Sequence, residues 1–177
     1  ELAAWDRANP DKPAAPYAVN QIVHRSNDRL EDDIATCAKW KVPITITSLG
    51  AREDLNQAVH AWGGITLHDI IDDRFARKAV DKGADGLIAV AAGAGGHAGK
   101  WSPFALAQEI RAWFDGPLAL SGAIATGGAV LAAQAMGADL AYIGSPFLAT
   151  TEARSADGYK QGMVDGGGAD RGTANIV

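Results

Sequence analysis

The segment Lys82-Gly83-Ala84-Asp85-Gly86-Leu87-Ile88 (KGADGLI) has a close counterpart later in the chain, Met136-Gly137-Ala138-Asp139-Leu140-Ala141-Tyr142 (MGADLAY). Each segment follows a helix-like stretch and leads into an apolar run. Gly83 and Gly137 suit the left-handed position directly after a helix, because glycine has no Cβ to clash there. The pair therefore predicts a unit, a helix followed by a strand, that is used twice.

Apolar runs of this kind recur at intervals of about 20 to 30 residues, with amphipathic segments between them. The six runs, all predicted to be strands, are Ala18–Val23, Ile44–Ser48, Ile65–Ile71, Leu87–Ala91, Leu118–Ser121 and Leu140–Ile143. They are almost continuously apolar, which is typical of strands buried on both faces of a parallel sheet. The connections predicted to be helices are about Ser26–Lys41, Ala51–Trp62, Asp72–Lys82, Ser102–Phe114, Thr126–Met136 and Thr151–Met163.

The residues at the predicted helix ends agree with this assignment. Ser26, Asp72, Ser102 and Thr126 are of the types that cap a helix N-terminus through a side-chain oxygen. Pro103 follows Ser102 and suits the first helical position, where no amide hydrogen is needed. Repeating β-α units are therefore predicted.

Uninterrupted β-α alternation permits either an open doubly wound sheet or a (β/α)8 barrel. A full barrel takes about 250 residues and eight strands, whereas this chain has 177 residues and six predicted strands. We expect a single domain, residues 1–177, that carries about six β-α units of a TIM-type barrel and lacks two at its N-terminal side. Residues 1–16 form a lead-in, and the Gly-rich residues 166–177 are expected to be a flexible or incomplete tail; the start on Glu1 suggests a position inside a longer protein.

Composition excludes several classes of protein. Hydrophobic residues make up 47% and charged residues 21%, and no window approaches the ~18 consecutive apolar residues of a membrane span. The net charge is −5 with scattered basic residues, which disfavours nucleic-acid binding. The single cysteine, Cys37, rules out a disulfide framework, predicts a small core residue and is typical of a cytoplasmic protein. No metal-ligand spacing occurs, and the sequence leaves the oligomeric state open.

The segment from Ala91 to Lys100, AAGAGGHAGK, follows a predicted strand and contains four glycines and His97. It partly matches the dinucleotide fingerprint, but the helix starts late and the next strand ends in Ser121-Gly122 rather than an acid. A plain turn with a surface histidine is a second interpretation. A third is an active-site loop, because glycines let a ligand approach the carboxyl end of a parallel strand and His97 can accept a proton near neutral pH.

Two further strand ends carry small residues with free backbone amides, Ser121-Gly122-Ala123 and Gly144-Ser145. If the six strands are numbers three to eight of a barrel, these are the loops after strands seven and eight, where barrels commonly bind phosphate. Ser48, His68 and Asp69 lie at other strand ends and are candidate ligand contacts. His68 is expected to point toward the barrel face that carries these loops.

Five ordered motifs together resemble the nitronate monooxygenase family, formerly called 2-nitropropane dioxygenases. They are Gly83-Ala84-Asp85-Gly86, Ala94-Gly95-Gly96-His97-Ala98-Gly99, Leu120-Ser121-Gly122-Ala123-Ile124-Ala125-Thr126-Gly127, Met136-Gly137-Ala138-Asp139 and Ile143-Gly144-Ser145-Pro146-Phe147-Leu148-Ala149-Thr150. The resemblance runs from about Tyr17 to Tyr159.

The resemblance implies a barrel flavoprotein with non-covalent FMN, whose phosphate is held at Gly122-Ala123 and Gly144-Ser145. It implies that His97 is the base that takes a proton from the carbon beside a nitro group, and that Gly95 and Gly96 give clearance at the flavin edge. It also implies that Asn20 lies near the flavin. The chain differs where several relatives have a basic residue near the flavin, because it has His68-Asp69.

The implied activity is oxidation of alkyl nitronates, and of neutral nitroalkanes through His97, by O2 to a carbonyl compound and nitrite. An NAD(P)H:quinone or enoyl-thioester reductase on the same barrel is an alternative, because a fold does not fix a substrate. A non-catalytic barrel fragment that binds a phosphate ligand is an alternative of another class.

Overall fold

The computed structural model describes residues 1–95 and 99–166. The strands are β1 (Ala18–Ile22), β2 (Ile44–Ser48), β3 (Ile65–Ile70), β4 (Gly86–Val90), β5 (Leu118–Ser121) and β6 (Leu140–Tyr142). The helices are α1 (Leu2–Ala8), α2 (Leu30–Lys39), α3 (Glu53–Ala61), α4 (Asp73–Asp81), α5 (Pro103–Arg111), α6 (Gly127–Ala135), α7 (Ser145–Leu148) and α8 (Asp157–Asp165). The six predicted strands and the β-α alternation are confirmed.

The strands form one sheet in which every pairing is parallel and the order is that of the sequence, β1 to β6. A doubly wound sheet would reverse its strand order at a switch point, whereas a barrel adds each strand beside the last. The sequential order therefore decides between the two predicted architectures in favour of part of a TIM-type barrel. Within the described residues, β1 and β6 are the two edges of the sheet.

The two sequence-similar joints form the same backbone structure. After α4, the amides of Gly83 and Ala84 donate back into the last helical turn at 2.8 and 3.0 Å; after α6, those of Gly137 and Ala138 do so at 2.9 and 3.1 Å. The two glycines have φ values of +87° and +99°. This is the Schellman ending, which satisfies carbonyls that the helix leaves unpaired.

The aspartate of each joint ties the incoming strand to the strand before it. The backbone N–H of Asp85 donates to the carbonyl of Thr66 (3.0 Å), and the Asp85 carboxylate accepts from the Thr66 N–H (2.7 Å). Asp139 repeats both bonds with Leu118, each at 2.8 Å. The carboxylate supplies an acceptor to an amide at the open end of the ladder, so it fixes where β4 and β6 begin pairing.

Two further helices end in the same way without the sequence signature. The amides of Gly63 and Gly64 donate into the last turn of α3 at 2.9 and 3.1 Å, and those of Lys41 and Val42 into α2 at 3.1 and 3.0 Å. Lys41 has a φ of +47°, a left-handed conformation that is uncommon for a residue with a side chain. The joint is thus used four times among the described residues, once with a lysine in the glycine position.

The sheet has two differently packed faces. The face toward the helices carries the largest cluster of buried residues, in which Ile70, Leu87 and Leu120 pack against Ala76 and Leu106. The opposite, concave face carries a smaller cluster of four buried residues, Ile46, Leu67, Ile88 and Ala119. Because side chains alternate along a strand, the residue that follows each of these four points toward the helices.

Three of the four predicted N-caps are confirmed. The side chains of Asp72, Ser102 and Thr126 accept from backbone amides in the first turns of α4, α5 and α6. Ser26 is wrong as a cap, because α2 begins at Leu30 and the Ser26 hydroxyl instead bonds the ring of His24 at 2.8 Å.

Some other boundaries also differ from the prediction. Helix α1 lies in the predicted lead-in, and the last predicted helix begins at Asp157 rather than Thr151. Cys37 is buried, at 4% exposure, as predicted. No helix in residues 1–95 or 99–166 has the length and apolar character that a membrane crossing requires. The predicted tail lies outside the described residues from 167 onward.

Candidate functional site

A cavity of about 840 Å³ opens where the strands end. This volume lies within the range of small-molecule and cofactor pockets. Six predicted site residues border the cavity: Asn20, Ser48, His68, Asp69, Gly95 and Ser121. The concave, carboxyl end of the sheet is where barrel active sites lie, so the described fold brings these residues to the expected place.

Three polar side chains from adjacent strands form a hydrogen-bonded trio on the concave face. The Ser48 hydroxyl at the end of β2 lies 2.6 Å from Asp69 Oδ2 on β3 and 3.1 Å from Asn20 Oδ1 on β1. Strand alternation places Ser48 on the same side as Ile46, and Asp69 on the same side as Leu67. We call these three residues, Asn20, Ser48 and Asp69, the polar trio.

The charge of Asp69 is poorly accommodated in this position. Burial raises the pKa of the Asp69 carboxyl above its usual 3.8, and the hydrogen bond from Ser48 lowers it by a smaller amount. Desolvation penalises the ionised form of a carboxyl because a low-dielectric site stabilises charge less than water does. Asp69 is therefore a carboxyl that holds its proton to a higher pH than an exposed aspartate.

Tyr142, at the end of β6, borders the same cavity and is a site residue that sequence reasoning misses. Its pKa is raised above 10.0, first by burial and then by the negative charge of Asp69. Tyr142 lies in a run that reads as an ordinary apolar strand. The signal that identifies it is its position along the strand. Leu140 pairs with Ala119 of the concave face, and Tyr142 lies two residues later, so its side chain points to the same face.

His68 lies on the opposite side of β3 from Asp69, yet it borders the cavity at the carboxyl ends of the strands, the barrel face toward which it is predicted to point. Its Nδ1 is 2.5 Å from the Thr47 hydroxyl, and the residue is 5% exposed although it borders the cavity. Alternation explains the difference, because Leu67 and Asp69 take the concave positions on either side of it. Burial, followed by the positive charge of Lys78, lowers the pKa of His68 from 6.5 to about 4, so the ring is neutral at pH 7.

The loop after β5 has a constrained backbone. Gly122 has a φ of +142°, and a Cβ there would lie 2.8 Å from the Ala92 carbonyl oxygen. Ala123 has a φ of +52°, and its N–H donates to the Gly93 carbonyl at 3.0 Å. The Ala123 amide is thus engaged within the protein. The left-handed conformation suits glycine, and Ala123 adopts it at a cost of roughly 1 to 2 kcal/mol because of its Cβ.

The loop after β6 is more open. Gly144 directly precedes α7, and a Cβ built on it meets no atom within 4 Å. Ser145 is the first residue of α7. Gly122 and Gly144 are not among the described residues that border the cavity. The predicted phosphate contacts at Gly122, Ala123, Gly144 and Ser145 therefore stay predictions.

The glycine loop after β4 is described at its two ends. Gly95 borders the cavity, and a Cβ on it would meet no atom within 4 Å. Gly99 packs under β4, where a Cβ would lie 2.2 Å from the Val90 carbonyl oxygen. Gly96 and His97 lie outside the described residues, so their predicted roles remain predictions. In residues 1–95 and 99–166, no group of three or more His, Cys, Asp or Glu side chains is arranged to hold a metal ion.

The sequential parallel sheet and the cavity at the carboxyl ends of its strands place this chain in the class of TIM-barrel proteins. The family whose sequence model matches the chain is nitronate monooxygenase, over residues 4–171. The chain therefore belongs to the nitronate monooxygenase family, as its motifs predict.

Individual relatives agree with this assignment. A nitronate monooxygenase of Paraburkholderia phytofirmans is 33% identical over 91 residues, which cover 46% of this chain and 25% of that protein. The structure of a FabK (M276A) mutant from Thermotoga maritima has a TM-score of 0.81 and 26% identity, covering 94% of this chain. A nitroalkane oxidase from Streptomyces ansochromogenes has a TM-score of 0.78 and 23% identity, covering 85% of this chain. The chain spans 56% of each of these two solved chains.

Proposed function

We propose that this chain is the cofactor- and substrate-binding part of an FMN-dependent oxidoreductase that oxidises alkyl nitronates, and neutral nitroalkanes, with O2 to a carbonyl compound and nitrite. The observation that carries the proposal is the cavity at the carboxyl ends of the strands, which is bordered by six predicted site residues; three of them, Asn20, Gly95 and Ser121, come from the family resemblance. Membership of the nitronate monooxygenase family supports the choice of reaction.

The residues present fit a flavin. The cavity volume of about 840 Å³ is ample for a drug-sized ligand. The open space at Gly95 and Gly144 leaves room for a ligand to reach the backbone, as an edge or a phosphate would require. Asn20 and Ser121 would contact the flavin ring, and the backbone at Gly122, Gly144 and Ser145 would hold the phosphate. Bound FMN supplies the electron-accepting chemistry that side chains lack.

The protein's own contribution is to orient the substrate and move one proton. His97 is assigned as the base that accepts the proton from the carbon next to the nitro group, since an imidazole titrates near neutral pH. A nitronate has already lost that proton and does not need the base. The apolar side chains of Ile22, Ile71 and Val90, which border the cavity, would hold the alkyl part of the substrate.

The proposal is tested with the full protein that carries this chain. After incubation with FMN and removal of free ligand, the protein should show the visible spectrum of bound flavin; a colourless protein would instead favour a phosphate-binding barrel without flavin. His97→Ala should lower kcat/KM for nitroethane by about 100-fold or more while ethylnitronate oxidation falls little, because only the neutral substrate needs a base.

His60→Ala is the matched control, because His60 lies on α3 and pairs with Asp85 at 2.8 Å, away from the cavity. It should leave both rates within about twofold, which is the range of a surface change. Equal loss for both substrates in His97→Ala would show that His97 positions the ligand and is not the base.

The second candidate is a reductase that takes a hydride from NAD(P)H. The fold similarity to FabK, at a TM-score of 0.81, is the observation that favours it. Anaerobic mixing separates the two candidates. Bleaching of the flavin by NADH but not by ethylnitronate would select the reductase.

A further inference from the structure

The polar trio places an unpaired carboxyl against the space that a ligand would fill. Asp69 borders the cavity, and within the described part of the chain it forms no ion pair with a lysine, arginine or histidine. Its hydrogen-bond partner is the neutral hydroxyl of Ser48. An ionised carboxylate in this position therefore has one neutral donor and no countercharge.

The hydrogen-bond chemistry of the trio also depends on the proton of Asp69. The Ser48 hydroxyl has one hydrogen but faces two oxygens, Asn20 Oδ1 at 3.1 Å and Asp69 Oδ2 at 2.6 Å. When Asp69 is protonated, it can donate to Ser48 while Ser48 donates to Asn20, and every contact has a hydrogen. When Asp69 is ionised, Ser48 can serve only one oxygen unless the Asn20 amide turns over.

The groups around Asp69 on the other elements do not neutralise it. Ser48 on β2 and Asn20 on β1 are uncharged, and Tyr142 on β6 is a neutral phenol whose pKa is raised first by burial and then by the charge of Asp69. Lys78 on α4 also borders the cavity. Its positive charge lowers the pKa of His68, and it forms no ion pair with Asp69. His68, the neighbour on β3, is neutral and turned away.

We propose that Asp69 determines the charge class of the ligand that this cavity accepts. When ionised, Asp69 repels an anionic planar group such as a nitronate or a carboxylate and favours a neutral group, above all one with an N–H to donate. When Asp69 is protonated, the cavity accepts anionic and neutral groups alike. The consequence for the reaction rests on the proposed function. Nitronate binding strengthens as pH falls, whereas the binding of a neutral nitroalkane does not depend on the charge of Asp69.

The test uses two inert ligands of one shape and different charge. Trifluoroacetate carries a planar carboxylate that stays ionised at both pH values used, and trifluoroacetamide is its neutral isostere with an N–H donor. Their dissociation constants for the full protein, with FMN at a fixed saturating concentration, are measured by isothermal titration calorimetry at pH 4.5 and pH 8. This readout needs no turnover, so it stands whether or not the protein oxidises nitro compounds.

In the unmodified protein, the preference for trifluoroacetamide over trifluoroacetate should grow by about tenfold from pH 4.5 to pH 8, the size of effect that one nearby charge exerts in a partly buried site. Asp69→Asn should remove this pH dependence and bind trifluoroacetate more tightly at pH 8. Asp81→Asn, which removes one exposed negative charge at the end of α4, is the matched control and should keep the dependence.

A ratio that stays within twofold between the two pH values in the unmodified protein would overturn the proposal without recourse to any variant. So would an Asp69→Asn protein that keeps the full dependence, and so would the absence of binding by both ligands at millimolar concentration. A protein that shows the predicted ratios but binds no FMN would refute the proposed function and leave the role of Asp69 intact.

Discussion

Strands β2 and β3 carry two similar pairs of side chains, one residue apart, on opposite faces of the sheet. Thr47 and His68 meet at 2.5 Å on the face toward the helices, and Ser48 and Asp69 meet at 2.6 Å on the concave face. In each pair a hydroxyl contacts a titratable group, and burial favours the neutral form of that group. Both titratable residues border the cavity, but His68 lies on the side of the sheet that packs against the helices and is 5% exposed, whereas Asp69 lies on the concave side. Similar hydrogen-bond pairs thus lie in a packed environment on one face and, under our proposal, in a ligand-binding environment on the other.

The largest expected effect is the acid sensitivity that His68 gives the fold. Its folded-state pKa of about 4 lies below the unfolded value of 6.5, so its contribution to stability is complete above pH 6.5 and is lost as pH falls through about 4. The shift corresponds to about 3 kcal/mol in the free energy of unfolding. Urea unfolding at pH 7 and pH 4 should show that His68→Gln loses about 3 kcal/mol less than the parent between these values.

His60→Gln is the control for this measurement, because it removes an exposed histidine from α3. It should keep the parent's acid sensitivity. An equal change in the unfolding free energy between pH 7 and pH 4 for His68→Gln and His60→Gln would contradict the view that the burial of His68 makes the fold sensitive to acid.

The hydroxyls of the two pairs should differ next in their effect. Thr47→Val keeps the shape of a residue that is 2% exposed and leaves Nδ1 of His68 without its partner, which should cost about 1 to 3 kcal/mol. Ser48→Ala should cost less than about 1 kcal/mol, because water in the cavity can replace the hydroxyl. Equal losses by urea unfolding at pH 7 would remove the distinction between the two faces.

The smallest effect expected is the pH dependence that Asp69 gives the fold. Its folded-state pKa is raised above 3.8, so its contribution to stability is complete below pH 3.8 and is lost as pH rises through the folded value. The sign is opposite to that of His68. Asp69→Asn should therefore be more stable relative to the parent at pH 7 than at pH 3.5, and a reversed order in thermal unfolding would refute the assignment.

The sequence predicts the architecture because its β-α units repeat and its strands are apolar on both faces. The joints of α4 and α6 are visible because glycine occupies the left-handed position before Ala-Asp. The equivalent joint after α2 is hidden, because Lys41 adopts that conformation with φ +47°. Tertiary packing imposes the conformation there against the residue's own preference.

The site is predictable in membership but not in orientation. Asn20, Ser48 and Asp69 are each identified from a strand end or a family motif, yet no pattern in the sequence brings them within hydrogen-bond distance. Their meeting depends on the register of β1, β2 and β3, which is set by long-range pairing. The face of His68 follows from the same register, because a shift of one residue would exchange its environment with that of Asp69.

The aspartates of the repeated joints have a consequence for the origin of the chain. Asp85 binds the backbone of Thr66 at the start of β3, and Asp139 binds that of Leu118 at the start of β5, so these two units each carry their own alignment to the unit before them. A segment of this kind can be copied, and its copy will seat against its predecessor without any other part of the sheet being changed. Growth of a barrel by tandem duplication needs a self-aligning module, and a single carboxylate supplies it.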